Sequence, residues 1–545
     1  MKTIILDFSE RSVVNVIETI KHYENKPIKI QIKLRGINKL SDLDLTSVFK
    51  TIIDSRITHL DLSNDTLDNH LQTRSTTYLK ELFYSLKDSN LEYLSLKSNH
   101  FLQKSALELN EIFSQIKATE IRVLDISDIY MHPETIDDPD LLSHLKNSSI
   151  KFKTIFSTLM GSDITDLICQ SNQLIIPLIK PILNALGNAN ETDLKSKITY
   201  LDLKNNQLNI KSFNDISDIL AYLENSSVVQ LDLSSNDLFL HPTESIESRE
   251  VTCSRMTHLL LEGKNNYALK TPSEISSLIK GFKNTGITSL NLSNNRLYGF
   301  IPDIIEALKE SQITHLNLSK NYMYTKYQPQ VNQKIFEGLE HTSITHLDLD
   351  NMIYEETDLF HLPTILKGLH KSSVTHLSLQ NNWLNQMSRE LFNHLFTSVE
   401  GSTVSHIDLR GNSFNTLSAE SLEVFLSIPD NIRSITLTLS EVQKMKVKSL
   451  QMIKLRFPHA AHLVLVDDDG IILDIQNKEH LNIYRDLGFN IHCEKPLVKP
   501  VVFTKVEDSR DSSALISGSL FNASHLKNDK GSNEIKPDWQ SKFRQ

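Results

Sequence analysis

The chain has 545 residues, a formal net charge of −10, 39% hydrophobic and 23% charged residues. This is the composition of an ordinary globular protein, and its mildly acidic balance argues against nucleic acid as the main partner. Three scattered cysteines, Cys169, Cys253 and Cys493, form neither a CxxC pair nor a disulfide framework, which fits a reducing compartment.

The N-terminal stretch MKTIILDF is extended in pattern and meets Asp7 too early for a secretory signal. SVVNVIETIKHY follows with helical spacing, so residues 1–26 read as an N-terminal cap. One phrase then recurs, for example SRITHLDLSNDTL, SKITYLDLKNNQL, TGITSLNLSNNRL and SSVTHLSLQNNWL. Written as L-x-x-L-x-L-x-x-N-x-L, it begins at 57, 91, 121, 198, 228, 256, 287, 313, 344, 374, 404 and 432, with weaker copies near 27, 150 and 460. Most spacings are 26 to 31 residues, with one of 34, which gives about fifteen turns. The gap from 150 to 198 holds LIIPLIKPIL, whose Lys180 and two prolines suit a core helix and not a membrane span; an enlarged turn is expected near 150–197. No stretch of 18 apolar residues occurs.

The second and third apolar positions are two apart and share one side of a short strand. Parallel stacking makes that side a continuous core, and the repeated Asn can serve backbone groups where the strand ends. Between phrases the spacing turns helical: Ile301, Ile304, Ile305 and Leu308 share a face, as do Leu391, Leu395 and Val399. After the last phrase, ITLTLS and HLVLVDDDGIILDI are apolar on both faces, and DDDG (467–470) reads as a hairpin turn. Residues 471–504 read as a C-terminal cap and 505–545 as a flexible tail rich in Ser, Asp, Asn and Lys.

This phrase resembles the ribonuclease-inhibitor-like class of leucine-rich repeats over residues 27–470. The resemblance implies an α/β solenoid, a horseshoe with parallel strands on the concave face and helices on the convex face. Helices are wider than the roughly 4.8 Å between strands, so such a stack curves, and its inner face would span on the order of 65 Å.

Position three of the phrase is His at 59, 258, 315, 346, 376, 406 and 462, and position five is mostly Asp or Asn. Both point away from the core, so His315, His346, His376 and His406 are expected to stack on adjacent strands beside Asn317, Asp348, Ser378 and Asp408. Three readings compete: a metal site, a pH sensor, and a tolerated half-polar strand residue copied with the repeat. The last is favoured, because the feature is spread along the array, and no metal or other cofactor is expected. Position ten, on the loop after the strand, is Arg296, Tyr322 and Trp383 in nearby turns, with Tyr354 close by. Exposed Trp, Tyr and Arg are the composition of a binding hot spot. With His315, His346, Asp348, Asp350, His376 and Arg410 they are expected to form one partner-binding patch. Local packing of the aromatics is the competing reading.

The chain carries no P-loop, GxSxG or HExxH motif, and Cys493 beside His492 faces the other way on a strand, so no catalytic residues are assigned. A protein-interaction scaffold is the expected function. The Ile-, Asn-, Lys- and Ser-rich wording, as in ITHLDLSN, resembles leucine-rich repeat proteins that Legionella and similar intracellular bacteria inject into host cells. That resemblance implies a monomer made in the bacterial cytoplasm, type IV secretion guided by the tail, and a host protein as partner in the host cytosol. Related effectors add a cysteine-dependent ubiquitin ligase domain, for which residues 471–545 are too few. The alternative is a GTPase activator similar to the Ran GTPase-activating protein, although this chain lacks its long acidic tail.

Overall fold

The computed structural model describes residues 2–8, 10–23, 30–64, 71–129, 141–172, 174, 179, 183, 186, 196–206, 208, 213–236, 281–295, 297, 301–321, 336–353, 356–459, 462–468 and 470–489. The chain divides into two units after Lys495, and every described residue lies in the first, Met1–Lys495.

Among the described residues fifteen strands form one sheet in chain order. They are β1 (Lys2–Asp7), β2 (Ile30–Arg35), β3 (His59–Asp61), β4 (Tyr93–Ser95), β5 (Val123–Asp125), β6 (Asp166–Ile168), β7 (Tyr200–Asp202) and β8 (Gln230–Asp232). The series continues with β9 (Ser289–Asn291), β10 (His315–Asn317), β11 (His346–Asp348), β12 (His376–Ser378), β13 (His406–Asp408), β14 (Ser434–Thr438) and β15 (Leu463–Val466). All pairs are parallel, and the register sets equivalent phrase positions side by side: His315 opposite His346, His346 opposite His376, His376 opposite His406. The phrase leucines, such as Leu201, Leu203, Leu316, Leu318, Leu377 and Leu379, are buried on the inner side.

Each strand is short because the next residues turn. The eighth phrase position takes a left-handed backbone at Ser98, Asp128, Ser171, Asn205, Ser235, Asn294, Lys320, Asn351 and Asn381, with φ between 52° and 60°. Asn, Asp and Ser tolerate that conformation better than branched residues do. The phrase asparagine then ties turn to turn. Asn206 Nδ2 donates to the carbonyls of Cys169 and Leu203 (both 2.8 Å), while its Oδ1 accepts the Asn172 amide at 2.7 Å. Asn236, Asn295 and Asn321 repeat the pattern. A ladder of buried side chains thus satisfies backbone groups that the strands leave open.

Helices begin at serine caps. Ser41, Ser75, Ser105 and Ser388 each accept an amide three residues on, and Ser105 with Glu108 completes a capping box. Ile301, Ile304, Ile305 and Leu308 are buried, as their spacing predicts. Of the face read in the sequence at helix Arg389–Thr397, Leu395 and Val399 are buried and Leu391 is partly buried against the core, while Phe392 and Phe396 are buried as well.

Three differences from the sequence reading concern the repeat count. Residues near 150 form no strand; they lie inside helix Leu141–Leu159. The turn is instead built on β6, where Ile164, Leu167, Cys169, Asn172 and Leu174 fill the phrase, and Cys169 in a leucine slot hid it. The copy at 256, with His258, lies outside the described residues, and β8 pairs directly with β9 without a strand between them. β1 pairs with β2 and so opens the sheet itself. Fifteen strands are thus reached with β1 in the sheet and β6 in place of a copy at 150, the phrase at 256 lying outside the described residues. At the far end DDDG does turn: the Gly470 amide donates to Asp467 O, and Val466 bridges Ile472 antiparallel. Residues 505–545 lie outside the described residues.

The outer helical segments pack closely at Gly368, in Lys367–Leu369. An added Cβ there would lie 2.8 Å from the Phe336 carbonyl carbon and 3.0 Å from the Glu337 amide nitrogen. Backbone cannot yield as a side-chain tip can, so Gly368→Ala should cost about 2 kcal/mol. An unchanged urea midpoint would show that the two segments slide apart freely.

Candidate partner-binding face

On the face of the sheet turned away from the core, the histidines form the expected row. His315 and His346 stack with ring centroids 4.1 Å apart and planes 14° apart; His346 and His376 stack at 4.2 Å and 10°. His406 continues the row at 5.3 Å, tilted by 39°. The parallel register alone brings equivalent side chains this close.

The residue before each histidine explains its orientation. Thr314, Thr345 and Thr375 place Oγ1 2.9 Å from Nδ1 of His315, His346 and His376. Each hydroxyl also donates at 3.2 Å to a carbonyl of the preceding turn, on Thr288, Thr314 and Thr345. With its proton spent there, the hydroxyl accepts from the ring. The neutral imidazole therefore carries its proton on Nδ1 and a lone pair on Nε2. His406 differs: it is 6% exposed, and its nitrogens meet Ser434 Oγ at 2.7 Å and Thr436 Oγ1 at 2.9 Å.

Burial pushes all four imidazoles below the usual histidine range, and the neighbouring rings add to the effect on His346, His376 and His406. His346 and His406 fall to about 3. The row is neutral at neutral pH.

Beside it lies a polar network on β11–β13 and the turns that follow. Asp350 Oδ1 accepts from Ser378 Oγ (2.5 Å) and the Gln380 amide (2.9 Å). Gln380 Nε2 donates to Ser378 Oγ (3.1 Å) and Asp408 Oδ2 (3.2 Å). Arg410 grips Asp408 through Nε (3.0 Å) and Nη2 (2.7 Å). Burial lifts the Asp350 carboxyl to about 6. Asp350 and Arg410 are thus brought together, but through Ser378, Gln380 and Asp408, which the sequence reading had not placed in the patch. Asp348 lies on β11 between Asn317 and Ser378 in register.

The column of Asp and Asn at position five has a structural task as well. Asp61, Asp125, Asp202, Asp232, Asn291, Asn317 and Asp408 each accept the amide two residues on. Only a side-chain oxygen is needed, which is why Asp and Asn alternate. Burial and then the adjacent Asp232 push the Asp202 carboxyl up to about 7.

Trp383 follows β12. It is 51% exposed and sits at φ 54°, ψ 31°. A large aromatic residue rarely adopts that conformation. Arg296, Tyr322 and Tyr354, the other aromatic and basic members of the expected patch, lie outside the described residues. Among the described residues no group of three His, Cys, Asp or Glu could hold a metal ion, and no helix is long and apolar enough to cross a membrane.

Comparison with known proteins bears on the fold. A model of the leucine-rich repeat matches residues 286–308, the phrase of β9 with the helix Ile301–Ala307 that follows it. No curated protein matches the chain. Among solved structures, the leucine-rich repeat-containing protein LegL7 from Legionella pneumophila is similar at 18% identity and a TM-score of 0.34, over 83% of this chain and 96% of that one. The recurring phrase thus builds an open α/β solenoid of parallel strands and helices, one turn of which matches the leucine-rich repeat.

Proposed function

We propose that the chain is a scaffold that holds a protein partner on the outward face and loop edge of β10–β13. The observation that carries this reading is Trp383: a half-exposed tryptophan kept in a left-handed backbone conformation on the turn that follows β12, the strand of His376. An exposed Trp contributes little to folding and much to binding, as interface hot spots show. His315, His346, Asp348, Asp350, His376 and Arg410 supply a polar surround, and Arg296, Tyr322 and Tyr354 are proposed as further contacts from their phrase positions. We read the partner as a host-cell protein and the chain as a translocated effector. What supports this is the resemblance of the ITHLDLSN wording to injected bacterial repeat proteins.

The test is a pull-down from eukaryotic lysate with the full chain as bait, beside a Tyr322→Ala/His376→Ala/Trp383→Ala variant whose circular dichroism matches the wild type. The expected result is a partner kept by the wild type and depleted at least about tenfold on the variant. Equal retention by both baits would remove the patch while leaving a scaffold. Failure to retain any partner would count against the host-protein reading.

A further inference from the structure

The histidine row is built around neutral rings. Stacking at 4.1 and 4.2 Å suits uncharged imidazoles and is repulsive between charged ones. The threonine hydroxyls fix the ring proton on Nδ1, so a second proton must go to Nε2. On His346 and His376 that atom is shut off from solvent and has no hydrogen-bond partner. A lone pair tolerates this position at small cost. A charged N–H there would be buried with nothing to accept it.

The neighbours offer no remedy. β9 brings Ser289 and Asn291 to this face and β14 brings Ser434 and Thr436, none of them ionisable, and the last two are already bound to His406. Of the charged groups on β10–β13 and their turns, Asp350 is engaged by Ser378 and Gln380, and Asp408 by Arg410. Asp348, two residues from His346 on β11, faces the positive charge of Arg410.

We infer that the His315–His346–His376–His406 stack is an acid-triggered latch: protonation at Nε2 of His346 and His376 forces the rings apart and rearranges the outward face of β10–β13.

The consequence is a steep pH response. Once freed into water, each ring titrates near about 6.5. At about pH 5 a freed His346 ring favours the open arrangement by about 30-fold, and His376, which burial also lowers, adds to it. The folded values lie below the unfolded one, so the stack's contribution is full above about 6.5 and is lost as pH falls toward about 3. Opening should follow a curve steeper than a single proton gives.

Hydrogen–deuterium exchange of the full chain, read by mass spectrometry at about pH 7 and about pH 5 and corrected for intrinsic rates, tests this. Peptides over β10–β13 should lose protection at least about tenfold at the lower pH, while those over β4–β5 keep theirs. Two carboxyls titrate in part of the same range: Asp202 lies on β7, so its peptides report it separately, and Asp350 follows β11 but is kept in the histidine variant, which separates its response from that of the rings. The variant His346→Gln/His376→Gln should be equally protected at both pH values. Should that variant not fold, His346→Phe/His376→Phe keeps stacked rings without a titrating nitrogen and should give the same result. Unchanged protection in the wild type, or equal acid opening in the variant, would overturn the latch. No partner enters the test, so its failure is distinct from failure of the docking reading.

Discussion

Asn295→Ala is expected to destabilise the solenoid by about 3 kcal/mol. Asn295 Oδ1 accepts the buried Asn236 amide at 2.7 Å, and its Nδ2 donates to the carbonyls of Leu233 (2.9 Å) and Leu292 (3.1 Å). These losses are unequal. The Leu233 carbonyl keeps Asn236 Nδ2 and the Leu292 carbonyl keeps Asn321 Nδ2. The Asn236 amide loses the Oδ1 it donates to, and an orphaned buried amide costs about 1–3 kcal/mol. Two lost donations and a small cavity add the remainder. Urea unfolding reads the total, and hydrogen exchange should place the loss at β8 and β9. Asn385→Ala is the control: its Nδ2 makes a surface hydrogen bond to Thr416, and the change should stay within about 0.5 kcal/mol. Equal costs for the two variants would mean that the asparagine ladder does not hold the turns together. The ladder is not continuous in nature either. Met352 takes the asparagine place in its turn, where a thioether cannot accept as an amide oxygen does.

Much of this arrangement is legible in the sequence because it follows from two periods. Residues two apart share a strand face, and a strict parallel register sets like beside like. Those facts give the buried leucines, the helix at Ile301 and the histidine stack. The misses have equally plain causes. β6 was hidden because Cys169 packs as a small hydrophobe in a leucine slot, which a pattern of letters does not score. Phe392 and Phe396 widen the core face of Leu391, Leu395 and Val399, since neighbouring positions on a short helix differ by only part of a turn. The carboxylates of position five looked available for a ligand. Several instead hold the backbone amide two residues on, a contact that depends on turn geometry and leaves no mark in spacing. The tautomer of the row likewise needed the threonine hydroxyls in place.

Trp383→Asn is expected to leave the fold intact and to reduce partner retention about 30-fold or more. The left-handed conformation belongs to the turn and not to the tryptophan, because His100 (φ 50°) and Ser413 (φ 57°) adopt it at the equivalent place. Asparagine enters that region more easily than a bulky aromatic does, and the relief, about 1 kcal/mol, offsets the packing lost with the half-buried indole. Alanine loses the same packing and gains less relief, so Trp383→Ala should be less stable than Trp383→Asn by about 0.5–1 kcal/mol. Both variants remove the ring and should be equally poor at holding the partner. Stability and binding thus rank the three proteins differently. Equal stability of the alanine and asparagine variants would show that the turn imposes no strain at this position. Full retention by either would show that the exposed indole is not where the partner sits.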